Sequence, residues 1–169
     1  MTTMQHIDQL ILGAGRGDRG ALAQLYEETA PALFGYALTI LSSREDAEDV
    51  LQECYVTVLR SGNQYRPQGK PMAWLITIIR NLSYKLQRNN NRYLPLNAAD
   101  FFPGDTLDPD DKLMVQMCLE KLDQQEQQIL ILHAVAGCKH KEIGQIMEMN
   151  TSTVLSKYHR AIRKLRKSL

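Results

Sequence analysis

The sequence predicts an all-α fold in which two small helical domains are joined by a flexible linker. Apolar residues make up 44% of the 169 residues, which is enough for packed cores. They recur at three- and four-residue spacing, and no run alternates as a strand would. A stretch rich in proline and acidic residues separates the two helical parts. We therefore place the domains at residues 1–92 and 110–169 and the linker at residues 93–109.

Helical spacing covers the N-terminal part of the first domain. Residues 8–41 are predicted to be helical, with a break among the four glycines of residues 13–20. Pro31 is predicted to open a second helix, because proline suits a first helical turn. Ser42 and Ser43 are good caps for a third helix that runs to Arg60.

This third helix is predicted to be amphipathic. Its apolar stripe marks the side that packs and consists of Ala47, Val50, Leu51, Cys54 and Val58. The opposite side carries what we call the acidic face, defined as Asp46, Asp49, Gln52 and Glu53. Such a face suits docking to a basic partner protein. A solvated helix surface is the alternative.

The next helix, from Pro71 to about residue 88, is basic. Residues 61–93 hold six Lys and Arg residues and no acid. At 100° per residue, Trp74 lies at the edge of a polar side formed by Thr77, Arg80, Asn81, Tyr84, Lys85 and Arg88. Rings that stack on bases, beside cations that hold phosphates, fit unpaired nucleic acid. The alternative places Trp74 in the core and leaves the cations as ordinary surface.

The C-terminal part is predicted to form four helices, near residues 110–121, 124–136, 139–147 and 151–167. The last two, with the short turn 148–150, have the layout of a helix-turn-helix. Gly144 would allow a close crossing, and Asn150 would cap the last helix. Side chains that can reach base edges and phosphates of duplex DNA are Lys139, Thr151, Ser152, Thr153, Ser156, Lys157, Arg160, Arg163 and Lys164. An ordinary helical hairpin with a basic face is the alternative.

The net charge of +1 hides a segregated pattern. Two basic blocks, residues 61–93 and 139–169, alternate with acidic blocks at residues 44–60 and 94–126. A solvated surface usually mixes its signs. Two separate basic blocks therefore predict two separate contacts with a polyanion.

Several classes of protein are disfavoured. No P-loop, GxGxxG or nucleophile elbow is present, so we expect no enzymatic activity and no cofactor. His133, Cys138 and His140 lack a fourth ligand and cross a predicted helix break, which disfavours a metal site. Three cysteines without a CxxC pair, no signal peptide and no apolar run of eighteen residues predict a cytoplasmic protein without membrane insertion.

Three segments together resemble one family, the extracytoplasmic-function (ECF) sigma factors of bacterial RNA polymerase. Residues 46–53, DAEDVLQE, are similar to the family's region 2.2, and residues 73–81, AWLITIIRN, to its regions 2.3 and 2.4. Residues 142–146, with 153–154 and 159–161, are similar to region 4.2. The order and spacing also match, so the resemblance covers nearly the whole chain.

The resemblance implies a role for each matching surface. The acidic face would dock on the coiled coil of the polymerase β′ clamp. The loop 63–70 and the following helix would melt and read the −10 element, through Arg66, Trp74, Arg80, Asn81, Tyr84, Lys85 and Arg88. Residues 151–163 would read the −35 element as duplex, and their domain would also contact the β flap. Core polymerase and promoter DNA are thus the implied partners, and an anti-sigma factor is a further one.

Three positions depart from the family pattern. Glu148 stands where the turn commonly has glycine, so the turn must close without a positive φ or with some strain. Leu155 stands where many members carry a base, and Tyr158 where leucine is frequent. Two rival functions stay open. One is a stand-alone helix-turn-helix regulator, and the other is a sigma-like protein that has lost promoter activity and titrates its partners.

Overall fold

The structure is a computed structural model that describes residues 2–90 and 108–168. These residues form α-helices and no strand, as the all-α prediction requires. The helices are α1 Thr3–Gly15, α2 Arg19–Leu41, α3 Arg44–Ser61, α4 Pro71–Asn90, α5 Pro109–Glu120, α6 Gln124–Leu130, α7 His140–Met147 and α8 Thr151–Arg166. A 3-10 turn, Gly62–Gln64, follows α3, and a π-helical turn, Ile131–Val135, extends α6. The predicted linker lies almost wholly outside the described residues.

The prediction that Pro31 opens a helix is wrong, because α2 runs through it. A proline inside a helix removes one backbone hydrogen bond. Here the Pro31 ring is exposed, whereas its neighbours from Thr29 to Leu41 are buried except for the half-buried Phe34. Burial of this apolar segment outweighs the local cost of the proline. The predicted break among the glycines is confirmed, since α1 ends at Gly15 and α2 begins at Arg19.

The first four helices form a bundle centred on α2, which packs against α1, α3 and α4. The predicted apolar stripe of α3 is buried in this bundle at all five positions. On the outside of the bundle, α3 exposes its acidic face to solvent and α4 exposes part of its polar side. In the described residues, no helix is long and apolar enough to cross a membrane.

The C-terminal helices close onto this bundle. The α6 helix and the π-helical turn pack on α2, and α7 packs on α4. Buried apolar side chains from both halves form one continuous core. Two side-chain hydrogen bonds cross the contact: Gln124 Nε2 donates to the Thr39 carbonyl at 3.0 Å, and Gln128 Nε2 donates to Tyr84 Oη at 3.2 Å. We call this packing the closed arrangement.

Candidate nucleic-acid interface

The acidic face lies on the outer side of α3. Ser43 caps the helix, its hydroxyl accepting a hydrogen bond from the Asp46 backbone N–H at 3.3 Å. Asp46 is half-buried and the other three members of the face are exposed. The Arg60 guanidinium approaches one of them, Glu53, at 3.9 Å, which is a loose surface contact. The face therefore presents carboxylates to solvent.

Tyr65 anchors the loop between α3 and α4. Its hydroxyl donates a 2.5 Å hydrogen bond to Oδ1 of the buried Asp8, and its ring packs on Trp74 with 4.7 Å between ring centroids. Burial, followed by the hydrogen bond to Asp8, raises the pKa of Tyr65. Sequence reasoning missed both residues. An aromatic residue in a polar loop and a lone acid in an apolar helix were the only signals available.

A cleft of about 510 Å³ opens beside Trp74. One wall is the loop, and the other is α7, which contributes Glu142, Gln145 and Ile146. The polar side chains of the loop wall, with two from α4, are Gln64, Arg66, Gln68, Lys70, Thr77 and Asn81. Trp74 is half-buried, because it packs on Tyr65 and also lines the cleft. It is therefore neither a fully buried core residue nor a free surface ring.

The polar side of α4 is divided by the closed arrangement. Asn81, Lys85 and Arg88 are exposed, whereas Arg80 and Tyr84 are half-buried at the contact with the C-terminal helices. The Arg80 guanidinium lies over the Tyr84 ring, 5.1 Å from its centroid.

Beside them, the hydroxyl of Tyr36 and the Nε of Arg80 are buried with no hydrogen-bond partner in the described part of the chain. Burial raises the pKa of Tyr36. The nearby Arg80 guanidinium acts in the opposite direction on this pKa, and both residues belong to the N-terminal bundle.

The helix-turn-helix is formed by α7 and α8. Its turn closes with positive φ at Glu148, at φ 55° and ψ 46°, so the strained alternative holds. Gly144 lies against this turn, and its carbonyl oxygen accepts a hydrogen bond from the Met149 backbone N–H at 2.9 Å. A Cβ on Gly144 would sit 2.7 Å from the Met149 carbonyl oxygen. Asn150 is the N-cap of α8 as predicted, but its side chain makes no capping bond.

The start of α8 presents an exposed polar surface. Its exposed members from the predicted set are Thr151, Ser152, Thr153, Ser156, Arg160 and Arg163, with Lys139 exposed at the start of α7 and Lys157 half-buried. Lys164 has another partner, because its Nζ lies 2.7 Å from Oε2 of the fully buried Glu126. A contact between Lys164 and phosphate would therefore compete with an internal ion pair.

Three rings pack behind the turn. His133 and His140 stack at 4.4 Å, and Tyr158 meets both edge-on at 4.8 and 5.0 Å. Burial, with His133 and His159 as weaker causes, lowers the pKa of His140. Burial also raises the pKa of the nearby Cys138 thiol to about 12. Within residues 2–90 and 108–168, no group of three His, Cys, Asp or Glu side chains is arranged to hold a metal.

Comparison with known proteins links these surfaces to one family. The family model for sigma-70 region 2 matches residues 25–93, and that for sigma-70 region 4 matches residues 112–165. The ECF RNA polymerase sigma factor SigK of Mycobacterium ulcerans is 28% identical over 96% of this chain and 93% of its own length. BldN of Streptomyces coelicolor, another ECF RNA polymerase sigma factor, is 25% identical over 95% of this chain and 65% of its own length.

Two solved structures share the fold. CnrH, in complex with the cytosolic domain of CnrY, has a TM-score of 0.68 at 23% identity and covers 96% of both chains. RpoE of Bartonella quintana, in complex with the anti-sigma factor NepR, has a TM-score of 0.68 at 21% identity over 86% of this chain and 94% of its own. Both family models match in the expected order and together cover more than two thirds of the chain. The chain belongs to the sigma-70 family, as an ECF sigma factor of RNA polymerase.

Proposed function

We propose that this sigma factor brings core RNA polymerase to promoters through three separate surfaces. The acidic face of α3 binds the β′ clamp. The loop of residues 63–70, Trp74 and the polar side of α4 bind unpaired −10 DNA. The start of α8 binds the −35 element as duplex, and the same C-terminal helices also contact the β flap. The two nucleic-acid surfaces differ in chemistry, and this difference is the observation that carries the proposal.

The N-terminal surface suits single strands. Trp74 offers a ring on the N-terminal wall of the cleft, which separation of the halves exposes further, and stacking of a base on an aromatic side chain is favourable for any base. Arg66 and Lys70 line the same cleft and supply positive charge for the phosphates, and Lys85 adds an exposed cation further along α4. Such a ring has no stacking partner in a closed duplex, whose bases are already stacked on one another.

The C-terminal surface suits duplex DNA. A recognition helix enters the major groove with its N-terminal residues against base edges. At the start of α8 these residues carry short hydroxyl side chains that are exposed, and Arg160 and Arg163 follow along the helix for phosphate contacts. Leu155 is exposed as well, at 37%, and offers an apolar contact for a thymine methyl group.

Promoter binding requires the closed arrangement to open. The two elements lie about 25 base pairs apart by their names, which is roughly 85 Å at 3.4 Å per pair. A compact protein of this length is only about 40 Å across. The chain from residue 90 to residue 108 can extend about 60 Å, so two separated halves can reach both elements.

Opening also frees two of the proposed −10 contacts. Arg80 and Tyr84 are held at the contact between the halves, where Tyr84 accepts the hydrogen bond from Gln128. The hydrogen bonds from Gln124 and Gln128 across this contact are each worth only about 0.5–1.5 kcal/mol. The closed arrangement is therefore a form of the free factor that core polymerase and DNA can displace.

The chain itself catalyses no step, since core polymerase forms the phosphodiester bonds of the transcript. A protein with this role acts in the cytoplasm, where the bacterial chromosome lies. The two structural neighbours are bound to the cytosolic domain of CnrY and to the anti-sigma factor NepR. An anti-sigma factor is accordingly the regulatory partner we propose for this chain.

Charge reversal on the acidic face tests the docking role. The double change Asp49→Lys with Glu53→Lys should lower core-polymerase affinity at least about 10-fold, because juxtaposed like charges cost several kcal/mol. Binding of the free variant to −35 duplex should not fall. The matched control is Asp111→Lys with Glu120→Lys, two exposed acids of α5 that make the same change in net charge.

Core binding that survives the α3 change would show that the docking role is wrong. It would also favour the rival function of a stand-alone helix-turn-helix regulator, which has no use for the acidic face or for the cleft at Trp74.

A further inference from the structure

We propose that α1 positions the −10 surface, through a relay in which Asp8 holds Tyr65 and Tyr65 holds the Trp74 ring against the cleft. The inference rests on the −10 role proposed for Trp74. It adds Asp8 and Tyr65 as positioning residues, neither of which need touch DNA. The α1 helix also lies before the segment that matches sigma-70 region 2.

Asp8 is the anchor of this relay. It is only 3% exposed, and its side chain sits among the apolar residues of α1 that face the bundle. A buried acid needs a hydrogen-bond partner, since leaving it without one is costly. The partner is Tyr65 Oη, 57 residues along the chain and at the start of the loop. One hydrogen bond therefore fixes the loop to α1, a helix to which we assign no DNA contact.

A second contact brings α1 and the loop together. Gly15, the last residue of α1, lies so close to the 3-10 turn that a Cβ on it would be 2.2 Å from the Asn63 backbone nitrogen. A Cβ on Gly62 would be 2.7 Å from the Ile11 carbonyl oxygen. Both neighbours are backbone atoms, which cannot move aside cheaply. The first residues of the loop therefore pack directly on α1. This contact is additional to the hydrogen bond between Tyr65 and Asp8.

The Tyr65 ring transmits this anchoring to Trp74. The two rings are in contact at 49°, and Tyr65 is 9% exposed. One side of the indole is therefore backed by a fixed ring, and the rest of it lines the cleft. Stacking on a base depends on ring orientation, so a ring that is already oriented binds without paying the ordering cost on contact.

The test uses the fact that Trp74 is the one tryptophan of the sequence. Its fluorescence therefore reports its surroundings directly, in the full-length protein and without DNA. The variants are Tyr65→Phe, Asp8→Ala and Asp8→Asn. Asparagine keeps an oxygen that can accept from the Tyr65 hydroxyl. Tyr55→Phe is the matched control, because it removes a buried tyrosine hydroxyl bonded to Thr29 at 2.7 Å in the same bundle.

All variants are compared where circular dichroism shows equal helix content. Tyr65→Phe and Asp8→Ala should raise acrylamide quenching of Trp74 about twofold and weaken binding of a premelted −10 oligonucleotide about 5- to 10-fold. Asp8→Asn should restore most of both, and Tyr55→Phe should change neither. Trp74 quenching that stays at the wild-type level in the folded Tyr65→Phe and Asp8→Ala variants would overturn the relay.

The proposed function is judged separately. If Trp74→Ala leaves premelted −10 binding intact, the −10 role of Trp74 fails, whereas the fluorescence result on Tyr65 and Asp8 still decides whether the relay exists.

Discussion

The two proposed DNA surfaces of this sigma factor differ in how accessible they are. At the start of α8 the proposed contacts are exposed. On α4 and its preceding loop, Trp74 is backed by Tyr65, and Arg80 and Tyr84 are held against the C-terminal helices. The C-terminal surface can meet duplex DNA as it stands. The N-terminal surface is shaped in advance but partly covered, so it depends on the separation of the two halves.

The largest effect should come from removing the ring of the N-terminal surface. Trp74→Ala should weaken binding to premelted −10 DNA by about 5- to 150-fold, because base stacking is worth about 1–3 kcal/mol. Binding to −35 duplex should stay within twofold, and fluorescence anisotropy with the two oligonucleotides measures both. Trp74→Tyr, which keeps a stacking ring, should recover most of the loss. An equal loss on both DNAs would remove the distinction between the surfaces.

A smaller effect should follow from loosening the closed arrangement. Gln124→Ala with Gln128→Ala removes both hydrogen bonds between the halves, each worth about 0.5–1.5 kcal/mol. The free variant should bind premelted −10 DNA about 3- to 10-fold more tightly and should show a larger radius of gyration in small-angle scattering. Gln125→Ala, an exposed position on the same helix, is the control. Unchanged affinity and radius would mean that closure does not restrain the N-terminal surface.

The turn of the helix-turn-helix offers a change in stability. Glu148 has φ 55°, and left-handed backbone costs a residue with a Cβ about 1–2 kcal/mol. Glycine avoids this cost but loses more entropy on folding, so Glu148→Gly should stabilise the protein by about 0.5–1 kcal/mol in urea unfolding. Ser42→Gly is the matched substitution in the N-terminal half, because Ser42 also has a positive φ, of 53°. Destabilisation by Glu148→Gly would show that the Glu148 side chain makes a contact that outweighs the strain.

The smallest effect should be a dependence on pH in the C-terminal half. Folding lowers the pKa of His140 from its ordinary 6.5, so the folded protein resists its protonation. The associated stability is complete above about pH 6.5 and is lost as the pH falls through the lowered pKa. The loss should be small, because the site is partly solvated. His140→Gln should flatten this part of the melting-temperature profile, and an unchanged slope would contradict it.

Much of this arrangement was predictable from local patterns. The amphipathic spacing of α3 correctly separated its buried stripe from its acidic face. Cap and turn residues placed the helix-turn-helix, because Gly144 and Asn150 act within a few residues of their own position. Periodicity also gave the two sides of α4. These features depend on residues close together in the sequence, so the sequence pattern predicts them.

The features that sequence reasoning missed depend on distant contacts. Tyr65 and Asp8 are 57 residues apart, and the ion pair of Lys164 with the buried Glu126 spans 38 residues. Pro31 was misjudged because burial of the surrounding α2 segment outweighs its local preference. The closed arrangement joins the apolar cores of both halves and adds hydrogen bonds from Gln124 and Gln128, two polar residues in a helix whose pattern gave no sign of a partner. Tertiary packing decides all of these, and a local signal such as the lone acid of α1 does not identify its distant partner.

The most direct test of the whole account is run-off transcription with purified core RNA polymerase on a promoter library. The account predicts transcripts from a subset of promoters that share two sequence blocks about 25 base pairs apart, and their loss with Asp49→Lys and Glu53→Lys or with Trp74→Ala. A protein that binds duplex DNA tightly, yet supports no transcript with any core enzyme, would contradict it.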